Sequence, residues 1–244
     1  MRALRILVIV AVILGGLFVV ADRVAVGFAE DEAAQQLKTS EGLTSTPDVS
    51  IKGFPFLTQV AGGELDDVEI GIENFEASTG KPDESIRIAD LKANMRGVAF
   101  SSDYSSATAT SATGTATISY EELLKAAKLE PTDVGLGFTA RVVGLSDGGK
   151  GKIKVNVEID PPALDPQTVS VLSTVSVKGD KVEVQADSLP STGGFDLAEN
   201  AVRSITDFQQ AIDGLPGGIK LDKVEAAPDG VDITVKGSNV RLAG

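Results

Sequence analysis

The side chains here that could do chemistry are carboxylates, hydroxyls and lysines, because the chain contains neither histidine nor cysteine. That removes the usual general base near neutral pH, the usual thiol nucleophile and the commonest transition-metal ligands. It also excludes a Ser-His-Asp relay. Three constellations remain. Gly144 to Gly151 (GLSDGGKG) approaches a phosphate-binding loop, but Gly151 stands where a hydroxyl residue should follow the lysine. Its flanks read strand–turn–strand rather than strand–loop–helix, so a hairpin turn is the better reading. Glu64, Asp66, Asp67 and Glu69 match no EF-hand spacing, and strand alternation sends neighbours to opposite faces, so they read as a solvated strand edge rather than a calcium site. No catalytic residue, metal site or cofactor is expected. A carboxylate-based hydrolase would need two acids converging in a cleft, about 5–10 Å apart.

The third constellation is apolar. Gly53 to Val60 (GFPFLTQV) sets Phe54 and Phe56 around Pro55, with a Gly62-Gly63 pair before the next strand. Pro55 removes a ladder donor and biases Phe54 to an extended backbone, which predicts a strand edge or a bend. Two fates fit the phenylalanines: plugs of the core at a sheet corner, or side chains that line an apolar cleft or meet a bilayer.

What positions this segment begins at the N-terminus. Arg2 and Arg5 precede the uncharged run Ile6 to Ala21, which passes through Leu14 and Phe18 and is closed by Asp22 and Arg23. The cationic flank predicts a cytoplasmic N-terminus and an exported remainder. As a helix the run spans roughly 24 Å, short of a hydrocarbon core of ~30 Å. Val19-Val20-Ala21 would pass as a cleavage site, leaving a secreted protein. Against cleavage, Val24, Phe28 and Leu37 continue near the helical period, as one helix leaving the bilayer and entering the domain would. The expected division is a signal anchor over 1–22 and an exported domain over 23–244. Removing residues 1–21, and with them Arg2 and Arg5, takes the net charge from −13 for the whole chain to −15. Such acidity argues against nucleic acid as a partner and against electrostatic docking on anionic lipid.

Along the domain, period-two alternation predicts strands near 49–51, 68–72, 86–100, 134–143, 152–159, 175–177, 182–186, 219–226 and 231–242. Residues 101–119, rich in Ser, Thr and Ala, predict a polar strand pair or long hairpin, with a linker as the alternative. Ser119 and Glu122 have the form of a capping box that starts a helix over 120–128. Further helices are expected over 163–174 and over 196–212, the latter with Leu197, Val202, Ile205, Phe208 and Ile212 on one face. Hairpin turns are placed at Ser146–Gly149, Gly179-Asp180 and Pro228–Gly230. Many strands, few helices and no βαβ alternation predict an α+β fold with an antiparallel sheet.

The run ending in Ala21-Asp22-Arg23, the GFPFLTQV segment with Gly62-Gly63, and the strand from Leu65 to Ile72 make the sequence recognisable. It resembles the LmeA-like phospholipid-binding family of actinobacterial envelope proteins. The resemblance implies a curved sheet packed on a long helix, as in tubular lipid-binding proteins. It also implies a non-enzymatic, extracytoplasmic protein that takes phospholipid as partner at the cytoplasmic membrane, in envelope lipid or glycolipid homeostasis, with an envelope enzyme as a conceivable second partner. Phe54, Phe56 and Leu57 are the candidate lipid contacts. The rival functions are a scaffold for a membrane enzyme and the carboxylate hydrolase.

Overall fold

The computed structural model describes residues 2–40, 42–78, 85–102, 106–126, 131–135, 137–162, 165–179, 181–188, 203, 206–211 and 218–243. Helix α1 (Arg2–Ser40) is continuous through the apolar run and beyond it. It contains an 18-residue window of mean hydropathy 2.8, none of it buried, so by length and composition it could cross a membrane; a signal sequence passes the same test. Asp22, Val26 and Ala34 are its buried residues and share one face by helical spacing. Gly42, at φ +63°, lets the chain turn so that the Leu43 N–H donates to the Lys38 carbonyl at 2.9 Å, a Schellman closure.

The strands form two six-stranded antiparallel sheets, where one curved sheet was expected. The first takes β1 (Asp48–Lys52), β2 (Glu64–Ser78), β3 (Ser85–Phe100), β4 (Ala107–Ser119), β12 (Gly230–Ala243) and β11 (Ile219–Ala227), in that order. The second takes β10 (Phe208–Ala211), β9 (Lys181–Ser188), β8 (Gln167–Lys178), β7 (Lys152–Asp160), β6 (Phe138–Gly149) and β5 (Thr132–Gly135). Both curl, and register shifts in β11, β12, β6 and β8 add local twist. Short helices α2 (Phe56–Gly62) and α3 (Tyr120–Ala126) lie among the strands. The Glu122 N–H donates to Ser119 Oγ at 3.2 Å, so the capping box forms as expected.

Other elements depart from expectation. Residues 107–119 are one strand rather than two, and β4 lies in the sheet interior between β3 and β12. From 167 onward the expected helix is strand β8: Val169, Val171, Val175 and Val177 keep period two, and Ser173 supplies the missing inward position. Arg203 and Thr206 are helical, as expected, and the Asp207 N–H donates to the Arg203 carbonyl at 2.8 Å. Residues 208–211, however, are strand β10, paired with β9, instead of the end of that helix; residues 196–202, 204, 205 and 212 of that expectation lie outside the described residues. The β6–β7 turn falls at Lys150-Gly151, a little after the expected tip. Residues 127 and 128 of the third helix also lie outside the described set.

Two apolar cores sit on one face of the first sheet. One joins the second sheet, through Val155, Val157 and Val171, to Leu221, Val224 and Val231, with Tyr120 of α3 at its edge. The other gathers Val26 of α1, Ile51, Phe56 of α2, Leu65, Val98 and Val240. Helix α1 therefore meets the sheet at edge strand β1 and at α2.

Candidate functional site

The GFPFLTQ segment is held in place by its own residues. A Cβ on Gly53, at φ +95°, would lie 2.6 Å from Gln59 Nε2, so glycine is required there. The Gln59 side chain accepts the Asp66 N–H at 2.8 Å and donates to the Lys52 carbonyl at 3.4 Å, tying α2 to the strands on either side. Thr58 Oγ1 donates to the Pro55 carbonyl at 2.9 Å, and Gly63 closes α2 in the left-handed region. The Phe54–Pro55 peptide bond is cis.

The N-terminus of α2 has no cap from its own side chains. Asp22 of α1 supplies one: its carboxylate accepts the Leu57 N–H at 2.8 Å and pairs with Arg23. The Asp22 side chain is fully buried. Across the junction the Arg23 guanidinium stands 5.3 Å from the centre of the Phe54 ring, within cation–π range. About two turns further along α1, Glu30 Oε1 accepts the Ile51 N–H at 2.7 Å, satisfying a donor of edge strand β1.

The structure separates the three candidate lipid contacts. Phe56 is 7% exposed and belongs to the core beside α1, whereas Phe54 is 57% and Leu57 36% exposed. Val24 and Phe28 on α1 are exposed as well. Ile6, Leu14 and Phe18 are exposed along the apolar part of α1, as is Ala21.

Between the two cores, the same face of the first sheet carries a half-buried apolar strip. Cross-strand pairing aligns Ile72, Leu91, Ala116, Ile233 and Val224 in one row, and Ile70, Ala93, Gly114, Val235 and Leu221 in the next. Direct cross-strand partners share a face. Leu91, Ala93, Gly114 and Ala116 are half-buried and belong to neither core. The strip is low at β4, where the inward residues are Ala112, Gly114 and Ala116. The alternation of Ala or Gly with Thr along 107–117 carries the sequence signal for it, with Ala112, Gly114 and Ala116 inward and Thr113 and Thr115 on the opposite face. Among the described residues, one mainly polar hollow lies between Gly42–Ser45 and Ile72–Glu76, and another lies on the bare surface of α1 near Leu4 and Ile9.

Several of the acidic residues are engaged locally. Asp67 accepts from Asn94 at 2.7 Å and from Arg96 at 3.3 Å. Asp147 accepts the Gly149 N–H at 2.8 Å, a local turn bond within the sequence that resembled a phosphate loop. Lys152 and Thr174, both donating at 2.6 Å, hold the Asp187 carboxyl below the usual carboxylate range. Lys125 and the Arg87 N–H do the same for Glu122. Burial pushes the Tyr120 phenol up, helped by the charges of Asp147 and Asp232, and its hydroxyl donates to the Ala227 carbonyl at 2.8 Å.

The sequence model of the family described as LmeA-like phospholipid-binding matches residues 20–236, from the exit of the apolar run nearly to the end of the chain. The chain belongs to the LmeA-like phospholipid-binding family. Comparison with curated proteins and with solved structures returns no match. The family match begins just before Asp22 and so takes in the whole junction of α1 with α2. Within it, Gly53, Phe56, Gln59 and Gly63 serve the architecture of α2, which leaves Phe54 and Leu57 as the outward members of the GFPFLTQ segment.

Proposed function

We propose that this LmeA-like protein binds phospholipid at the outer face of the cytoplasmic membrane, held there by the apolar part of α1, and that it does so without catalysis. The observation that carries the reading is the apolar strip of Leu91, Ala93, Gly114 and Ala116 on a sheet whose chain matches a phospholipid-binding family. Arg2 and Arg5 before the apolar run support a cytoplasmic N-terminus, with the domain extracytoplasmic. Acyl chains laid on the strip would gain about 0.8 kcal/mol per buried methylene, so two chains of ordinary length suffice for retention. Because burial drives binding, retention should change little with salt, in keeping with an acidic surface. In this role the protein would present or carry envelope lipids or glycolipids, alone or beside a membrane enzyme.

The test is an organic extract of the purified chain, analysed by mass spectrometry, before and after Ala116→Phe. Phospholipid retained by the parent and diminished in the folded variant is expected. Equal lipid in both, or none in either, would remove the strip from the account. A second reading, a scaffold for a membrane enzyme, draws support from these two hollows, one mainly polar and the other open on the surface of α1. It predicts a folded protein that carries no lipid on its sheet.

A further inference from the structure

Taken alone, Ile6 to Ala21 is too short: its roughly 24 Å falls below the ~30 Å of a hydrocarbon core. Asp22 ends the run in the sequence, yet its charge never meets the surroundings. It is fully buried between α1 and α2, where the Leu57 N–H and Arg23 satisfy it. Beyond it, Val24 and Phe28 lie one turn apart on the outward face, 53% and 72% exposed, while Val26 faces the domain. Phe54 and Leu57 add their exposed side chains at the same level, because the Asp22–Leu57 bond fixes α2 beside this turn. Asp31 and Glu32, exposed on the next turn, set an upper limit to immersion.

From these observations, and resting on the membrane-anchored reading above, we infer that the membrane-embedded surface is composite. It comprises α1 as far as Phe28 together with Phe54 and Leu57, all entering the acyl region of the outer leaflet. Ile6 to Phe28 spans about 35 Å as a helix, which removes the mismatch. Arg23 lies on this stretch, but its guanidinium covers the Phe54 ring and pairs with the buried Asp22 carboxylate, so its charge is offset where it enters that region. The occupant is lipid rather than protein, because these side chains continue the apolar surface of α1, and the one charge exposed among them, on Arg23, is paired with Asp22. The domain would thus sit directly on the bilayer, with α2 at its surface.

The chain has no tryptophan, so single substitutions give unambiguous probes. Leu14→Trp, Phe28→Trp, Phe54→Trp, Leu57→Trp and Val143→Trp, each in the full chain, would be reconstituted into phosphatidylcholine–phosphatidylglycerol vesicles. Emission is then quenched with phospholipids brominated near the carboxyl end or near the middle of the acyl chain. The inference predicts strong quenching of F28W, F54W and L57W by the shallow bromines, of L14W by the deep ones, and none of V143W. Quenched L14W with unquenched F54W and L57W would overturn the inference and leave the anchor standing. Unquenched L14W would overturn both.

Discussion

The Asp22 carboxylate, on the helix that leaves the apolar run, accepts the Leu57 N–H of α2 at 2.8 Å. A residue that ends an apolar segment in the sequence thus becomes, in the fold, the helix cap its neighbour lacks. The bond joins α1 to α2 and fixes how the GFPFLTQ segment faces its surroundings.

Asp22→Ala should free the N-terminus of α2 at a cost of about 1 kcal/mol, the usual worth of a cap. Asp22→Asn keeps an acceptor oxygen and should lose less. Hydrogen exchange read by mass spectrometry on the peptide containing Leu57 checks this: exchange should accelerate strongly for D22A and weakly for D22N. Identical exchange in D22A and the parent would mean that the cap contributes nothing.

Phe54 and Phe56 should respond oppositely to truncation, although only Pro55 separates them. Phe56→Ala empties a core position beside Val26 and Leu65 and should cost about 3–5 kcal/mol. Phe54→Ala removes an exposed ring and should stay within about 0.5 kcal/mol. Urea unfolding of the full chain in mild detergent, followed by circular dichroism, measures both.

Ser173 is fully buried on β8, and among the described residues its Oγ has no hydrogen-bond partner. Ser173→Ala removes that desolvated hydroxyl and should stabilise the fold by about 1 kcal/mol. The urea midpoint should rise with an unchanged slope; a fall would mean that the hydroxyl is satisfied after all.

Asp187 is held in its ionised form by Lys152 and Thr174, so its carboxyl titrates below the usual range. A depressed carboxyl adds stability above its unfolded value, and that contribution is lost as pH falls through the folded one. Asp187→Asn should therefore be less stable than the parent at neutral pH, and the gap should close below about pH 4. Parallel midpoint-against-pH curves would contradict the assignment.

Much of this was legible in the sequence. Ser119 and Glu122 announced α3, Pro228–Gly230 the terminal hairpin, and Val24 with Phe28 the continuation of α1. What was hidden depends on tertiary partners. Helix α2 follows a glycine and a proline and is capped from another element, so no local signal announces it. In β8, Ser173 interrupts an otherwise regular row of valines and Leu172 breaks its polar face, which blurs the period. Phe208 suits a helix face or a strand equally well by composition, and pairing with β9 decides for the strand. Phe54 and Phe56 look alike as residue types; only the packing of α1 on α2 tells the buried ring from the exposed one.

The central claim is that acyl chains lie on the first sheet between its two cores. The most direct measurement incubates the full chain, in membranes, with a phospholipid carrying a photoreactive group near the end of one acyl chain, and maps the crosslinked peptides by mass spectrometry. The account predicts crosslinks on β3 and β4, around Leu91, Ala93 and Ala116, in addition to those on α1. Crosslinks confined to α1, Phe54 and Leu57 would leave a membrane-seated protein whose sheet holds no lipid, and would contradict it.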